Sequence, residues 1–160
     1  MPRFAANLSM MFNEHAFLDR FARAAACGFK GVEFLFPYDF PVDEVAGALH
    51  GAGLSQALFN LPPGDWAAGE RGMACLPGRE KELMEGVEKA LRYAEALRCP
   101  TLHMMAGIPP AGLPREQQEA TFAANLAEVA KACEPLGITV VIEPINQRDM
   151  PGYFLSYQDQ

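Results

Sequence analysis

The side chains best placed to do chemistry are Asn7, Glu33, Asn60, His103 and Glu143, each a polar residue within a short apolar run. Successive side chains of a strand point to opposite faces, and the helix-covered face of a parallel sheet is normally apolar. In residues 31–36, Val32, Phe34 and Phe36 share one face and Glu33 takes the other. In residues 139–143, Val140 and Ile142 oppose Glu143, which stands at the C-terminal end of its run. Residues 101–105 set Leu102 and Met104 against Thr101, His103 and Met105. Residues 56–60 set Ala57 and Phe59 against Gln56, Leu58 and Asn60, and residues 4–8 set Phe4, Ala6 and Leu8 against Ala5 and Asn7. A carboxylate aimed into a helix layer is costly without a partner. The polar residues are therefore expected to converge on the opposite face, as a cluster able to hold a substrate or a metal ion.

Each of these residues also has a plainer reading. Glu33 is either part of a site or a buried structural carboxylate. His103 is either a ligand to substrate or metal, or a satisfied core histidine. Asn7 and Asn60 are ligands or strand-end caps. Glu143 opens Glu143-Pro144-Ile145-Asn146 at a strand end, a poor place for a merely solvated charge, and is assigned to function. His15 and His50 fall on predicted helices and are assigned to the surface.

The loop over residues 61–78 is long for a compact domain, and such loops are usually functional or disordered. It holds the only tryptophan, Trp66, and the adjacent pair Glu70 and Arg71. A guanidinium there can clamp a substrate carboxylate bidentately. The other reading makes Glu70 and Arg71 solvated loop charges.

Short apolar runs alternate with longer helical patterns, the mark of parallel βα units. Strands are predicted over residues 4–8, 31–36, 56–60, 101–105 and 139–143. A helix begins near His15 and stops at Gly28, with Phe17, Leu18, Phe21 and Ala25 inward. A second is opened by Pro41 and ended by Gly53. A third carries Leu83, Val87, Leu91, Ala94 and Leu97 and is broken by Cys99-Pro100. Pro114 opens a fourth with Phe122, Leu126, Val129 and Cys133, and beyond the fifth strand only a tail is expected. Five strands and four helices fit either a partial (β/α)8 barrel or a five-stranded doubly wound sheet. G-x-G-x-x-G and a P-loop are both absent, and the partial TIM barrel is the predicted α/β fold.

A chain of 160 residues reads as one domain over residues 1–160. Half the residues are apolar and 21% are charged, a globular composition. The net charge of −7 repels phosphate backbones, and Lys and Arg form no basic patch, so no nucleic-acid partner is expected. No segment approaches ~18 apolar residues, so no membrane span is expected. The four cysteines lack Cys-x-x-Cys spacing and read as reduced thiols of a cytoplasmic protein. The N-terminal run lacks a signal-peptide cleavage pattern.

Several segments together resemble the hydroxypyruvate isomerase family: Phe4-Ala5-Ala6-Asn7-Leu8-Ser9, Gly31-Val32-Glu33-Phe34 with Pro37-Tyr38, Asn60-Leu61-Pro62 with Gly64-Asp65-Trp66 through Gly72, Pro77-Gly78-Arg79, and Ile142-Glu143-Pro144-Ile145-Asn146. The similarity runs over nearly the whole chain. That family belongs with the xylose-isomerase-like barrels, alongside 2-oxo-tetronate isomerases, ketose epimerases and an apurinic endonuclease. The resemblance implies interconversion of hydroxypyruvate and tartronate semialdehyde through an enediol. It also implies Mg²⁺ or Mn²⁺ held by a Glu ending the fifth strand, here Glu143, acting as ligand, base or both. Asn7, Glu33, Asn60, Glu70, Arg71 and His103 are candidates for contacting a small hydroxy-oxo acid. The family's other ligands, an Asp, a His or Gln and a second Glu, come from later strands. The chain is therefore expected to be truncated after its fifth strand, to bind metal poorly and lack activity alone, and to associate through its exposed edges. An endonuclease would need several metal-binding histidines and a basic DNA face; this chain has three histidines and a negative charge.

Overall fold

The computed structural model describes residues 2–160. The strands are β1 (Ala5–Asn7), β2 (Gly31–Glu33), β3 (Ser55–Asn60), β4 (Thr101–His103) and β5 (Thr139–Val141). Between them run α1 (Arg20–Ala26), α2 (Val42–Gly51), α3 (Glu80–Leu97) and α4 (Arg115–Cys133). All strands are parallel and lie in the order β1-β2-β3-β4-β5. That order is the wall of a barrel; a doubly wound sheet would reverse direction within it. Consecutive helices pack on each other, α1 on α2, α2 on α3 and α3 on α4, as a layer following the sheet.

Local sequence accounts for the helices. Pro41 and Pro114 precede the first turns of α2 and α4, where a missing N–H costs nothing. The stripe Leu83, Val87, Ala90, Ala94 and Leu97 buries one face of α3. It meets a core in which Ala6, Leu8, Val32, Phe34, Phe59 and Leu102 are all but sealed from solvent. Burying each large apolar side chain contributes about 1.5–3 kcal/mol. The Phe17, Phe21, Phe34 and Phe59 rings form a continuous edge-to-face and tilted chain through it.

Three expectations need correction. His15 is not helical. Arg20 reaches back to donate to the carbonyls of His15 (3.0 Å) and Leu8 (2.7 Å) and to Asn13 (2.8 Å), which holds residues 13–16 as a turn. A short 3-10 turn, Phe17–Asp19, then leads into α1.

Gln56 does not share a face with Asn60. The β2–β3 register runs Val32 to Gln56 and then Glu33 to Leu58, so Ala57 is an extra residue. Such a bulge reverses the alternation beyond it. Gln56 lies level with core residue Val32 and is buried, whereas Leu58 and Asn60 turn to the other face.

The residues after β5 are also more than a tail. Tyr153, Phe154 and Leu155 are buried. The Tyr153 hydroxyl accepts the Ala106 N–H at 2.7 Å, and the Phe154 N–H donates to the Gly107 carbonyl at 2.9 Å. Arg115 donates to the Phe154 carbonyl at 2.9 Å and lies 4.0 Å from its ring centroid. Among the described residues no helix is long and apolar enough to cross a membrane, and all four cysteines are free.

Gly72 has φ of +102° and forms an antiparallel bridge with Ala106, and a Cβ there would collide with the Met105 backbone. Gly69 has a similar φ of +95° but open space around its Cβ position. Gly72→Ala is expected to destabilise by on the order of 3 kcal/mol, against about 1 for Gly69→Ala. Urea unfolding of the two variants checks this; equal losses would show that the close approach is unimportant.

Candidate functional site

Asn7, Glu33, Leu58, Asn60, His103 and Glu143 line one cavity of about 250 Å³, with Met10, Phe34, Leu35 and Val141 completing its wall. It opens at the C-terminal ends of the strands, where barrel enzymes build their sites. A larger hollow of about 690 Å³ lies at the opposite ends of β1 to β3, bordered by Arg3, Phe4, Lys30 and Ser55. It contains neither carboxylate nor imidazole, so chemistry points to the smaller cavity.

Two cross-strand pairs build the cavity wall. Asn7 and Glu33 are register partners in β1 and β2, and Asn7 Nδ2 donates to Glu33 Oε1 at 3.0 Å. Asn7 Oδ1 accepts the Ser9 N–H at 3.0 Å, and Ser9 Oγ accepts the Leu35 N–H at 2.9 Å. Asn7 is thus fixed at both ends and orients Glu33. Asn60 and His103 are register partners in β3 and β4, with Asn60 Oδ1 3.0 Å from His103 Nδ1. Both are buried. The Tyr38 hydroxyl anchors this level by donating to the Asn60 carbonyl at 2.6 Å.

Glu143 stands two residues beyond β5 and is exposed at the rim. Burial, reinforced by the Glu143 carboxylate, pushes the Tyr153 hydroxyl up to about 12. Burial lowers the His103 imidazole to about 4, which keeps it neutral at physiological pH.

Glu70 and Arg71 are not part of the cavity wall. The Glu70 carboxylate is taken up by Arg79, with one contact at 3.2 Å and a second, shorter one through Arg79 Nη1, and by the Asp65 N–H at 2.5 Å. These bonds hold Glu70 below the usual carboxylate range, the Arg79 side chain contributing most. Arg71 donates to the carbonyls of Trp66 and Glu70 and lies 3.8 Å over the Trp66 ring, which in turn packs on Phe36. The pair closes the loop on itself. Arg79, which also binds Glu82 at 2.8 Å, is the partner that sequence reasoning missed. Its signal was faint: nine residues separate it from Glu70.

A divalent ion is implied by the resemblance, but among the described residues no three His, Cys, Asp or Glu side chains come together to hold one. Mg²⁺ demands near-octahedral oxygen ligation and dehydrates reluctantly. Glu143 alone does not meet that demand, so these residues do not by themselves fit the ion.

The neutral state of His103 has a consequence for stability. An unfolded histidine takes a proton near pH 6.5, whereas folded His103 resists until about pH 4. Its contribution is therefore complete above pH 6.5 and is lost as pH falls toward 4. Between pH 6.5 and 5 the expected loss is roughly 2 kcal/mol. His103→Gln should flatten that part of the profile in urea melts; parallel profiles would show that His103 is not the group responsible.

The family model described as Xylose isomerase-like TIM barrel matches residues 21–159. Over 159 residues the chain is 59% identical to the 2-oxo-tetronate isomerase of Cupriavidus necator, covering 99% of this chain and 61% of that protein. It is 51% identical over 156 residues to the hydroxypyruvate isomerase of Escherichia coli, covering 98% and 60% respectively. A crystal structure of an AP endonuclease, family 2, from Brucella melitensis superposes with a TM-score of 0.94 at 59% identity, covering 97% of this chain and 60% of that one. The chain thus spans about three-fifths of the length of these relatives. The parallel strand order, the polar cavity at the strand ends and the family match agree: the chain belongs to the xylose isomerase-like TIM barrel family.

Proposed function

We propose that this chain forms part of an isomerase of small hydroxy-oxo acids, with hydroxypyruvate and tartronate semialdehyde as the first substrate pair to test. The observation that carries the reading is the meeting of two carboxylates, Glu33 and Glu143, with His103 and Asn60 around one cavity at the strand ends. Relatives named hydroxypyruvate isomerase and 2-oxo-tetronate isomerase support the class, and a 2-oxo-tetronate is the alternative substrate. An AP endonuclease reading has a structural neighbour in its favour. Against it stand the net charge of −7 and the lack of a basic patch, since phosphate contacts dominate nucleic-acid affinity.

In hydroxypyruvate the ketone acidifies the hydrogens on C3. A carboxylate removes one, and the electron pair moves onto the C2 oxygen, which takes a proton to give the enediol. A proton returned to C2 with loss of the C3 hydroxyl proton gives tartronate semialdehyde. Positioned acid–base groups typically contribute 10²–10⁴-fold to such transfers. Glu143, exposed at the rim, is assigned one proton transfer, and Glu33, held by Asn7, shares the cavity. For Mg²⁺ or Mn²⁺, Glu143 is the ligand this chain would contribute to a set completed from elsewhere. The setting proposed is cytoplasmic, in keeping with the free thiols.

In the full-length protein containing this chain, Glu143→Gln is expected to lower kcat at least 100-fold. A coupled reductase assay for tartronate semialdehyde measures it, with a 2-oxo-tetronate and an abasic DNA duplex as parallel substrates. Near-normal turnover in the variant would remove Glu143 from the mechanism. Cleavage of abasic DNA without isomerisation would replace the reading altogether.

A further inference from the structure

Among the described residues two buried side-chain atoms have no hydrogen-bond partner, Gln56 Oε1 and His103 Nε2. Leaving a buried polar atom unpaired costs about 1–3 kcal/mol, so each asks for an explanation. Gln56 lies level with Val32, on the helix side of the sheet. His103 is different, because it forms part of the cavity wall beside Asn60.

The Asn60 contact decides what Nε2 can do. The side-chain oxygen of asparagine only accepts, so His103 Nδ1 must carry the hydrogen in the 3.0 Å bond. A neutral imidazole has one N–H, and it is spent on Asn60. Nε2 is left with a bare lone pair. What it lacks is a donor, and neither Glu33 nor Glu143 on the same cavity bonds to it.

We propose that Asn60 locks His103 in the Nδ1–H tautomer so that Nε2 accepts the hydroxyl hydrogen of the substrate. His103 is then the residue that selects hydroxy-oxo acids over their deoxy counterparts, and Asn60 is its positioning residue. The inference rests on the isomerase reading for the class of ligand. At neutral pH the carboxylate and the ketone of hydroxypyruvate are both acceptors, and the hydroxyl is its one donor. An apolar pocket rejects a missing hydroxyl weakly, but a site with a buried partner left unpaired rejects it strongly.

The test is ¹⁵N NMR of the full-length protein labelled at histidine, with His103→Leu to assign the resonance. Nε2 is expected in its unprotonated form at pH 7.5, and Asn60→Leu should mix the two tautomers. Hydroxypyruvate added with Mg²⁺ should shift Nε2 upfield, whereas pyruvate, which lacks the hydroxyl, should leave it in place. In turnover and inhibition assays, preference for hydroxypyruvate over pyruvate should fall 10–100-fold in His103→Leu and recover partly in His103→Gln, whose amide oxygen also accepts. An Nε2–H tautomer in the wild type would overturn the proposal, whatever the enzyme assay gives. So would an Nε2 shift produced by Mg²⁺ alone, which would make His103 a metal ligand. Turnover with an unmoved Nε2 resonance would overturn hydroxyl recognition and leave the isomerase reading intact. A hydroxyl-dependent shift without turnover would do the reverse.

Discussion

The cavity depends on the register of the parallel sheet. Both hydrogen-bonded pairs that build it, Asn7 with Glu33 and Asn60 with His103, are residues standing directly across from one another on neighbouring strands. Side chains at one level of a parallel ladder share a face, so a slip of one residue would separate both members of a pair. The extra residue at Ala57 belongs to the same constraint. It reverses the alternation of β3 midway, allowing Gln56 and Phe59 to face the helices while Leu58 and Asn60 face the cavity. Without it, Asn60 would point away from His103.

Burial then gives the aligned groups their character. His103 is neutral because the surrounding core disfavours a charge, and nothing acidic compensates it directly. Its one N–H goes to an amide, not to a carboxylate, so it does not become an imidazolium. Glu143 keeps solvent access at the rim. A neutral acceptor deep in the wall and carboxyl groups nearby form a graded environment. Anionic substrates would meet repulsion from the acid groups unless a cation or an external residue offsets it.

Much of this was legible in the sequence because the relevant signals are local. Prolines before α2 and α4 and the 3.6-residue stripe of α3 mark the helices without tertiary context. Strand alternation gathered Asn7, Glu33, Asn60, His103 and Glu143 on one side, and the structure places all five around one cavity, their chemical roles remaining proposals. What escaped was non-local. Nothing in Gln56-Ala57-Leu58 announces a bulge, since the extra residue is defined only against β2. His15 follows a helical pattern by composition, but Arg20 holds it in a turn through carbonyls that sequence does not display. Glu70 and Arg71 read as substrate contacts or solvated charges, whereas the geometry gives Glu70 to Arg79 and Arg71 to the Trp66 and Glu70 carbonyls.

Ala106, two steps past Met104, has a wider reach than its size suggests. Its N–H is held by the Tyr153 hydroxyl and its carbonyl by the Cys75 N–H at 2.8 Å, while Gly72 bridges alongside. The long loop, the end of β4 and the C-terminal segment therefore share one backbone junction. That segment also returns to the stretch after β5 that bears Glu143, through the bond from the Ile145 N–H to the Leu155 carbonyl. Local openings in proteins proceed by cooperative units, not by single residues. The loop beside Asn60 and the rim that bears Glu143 are thus tied through one hydrogen-bonded junction, so freeing either from it means breaking bonds around Ala106.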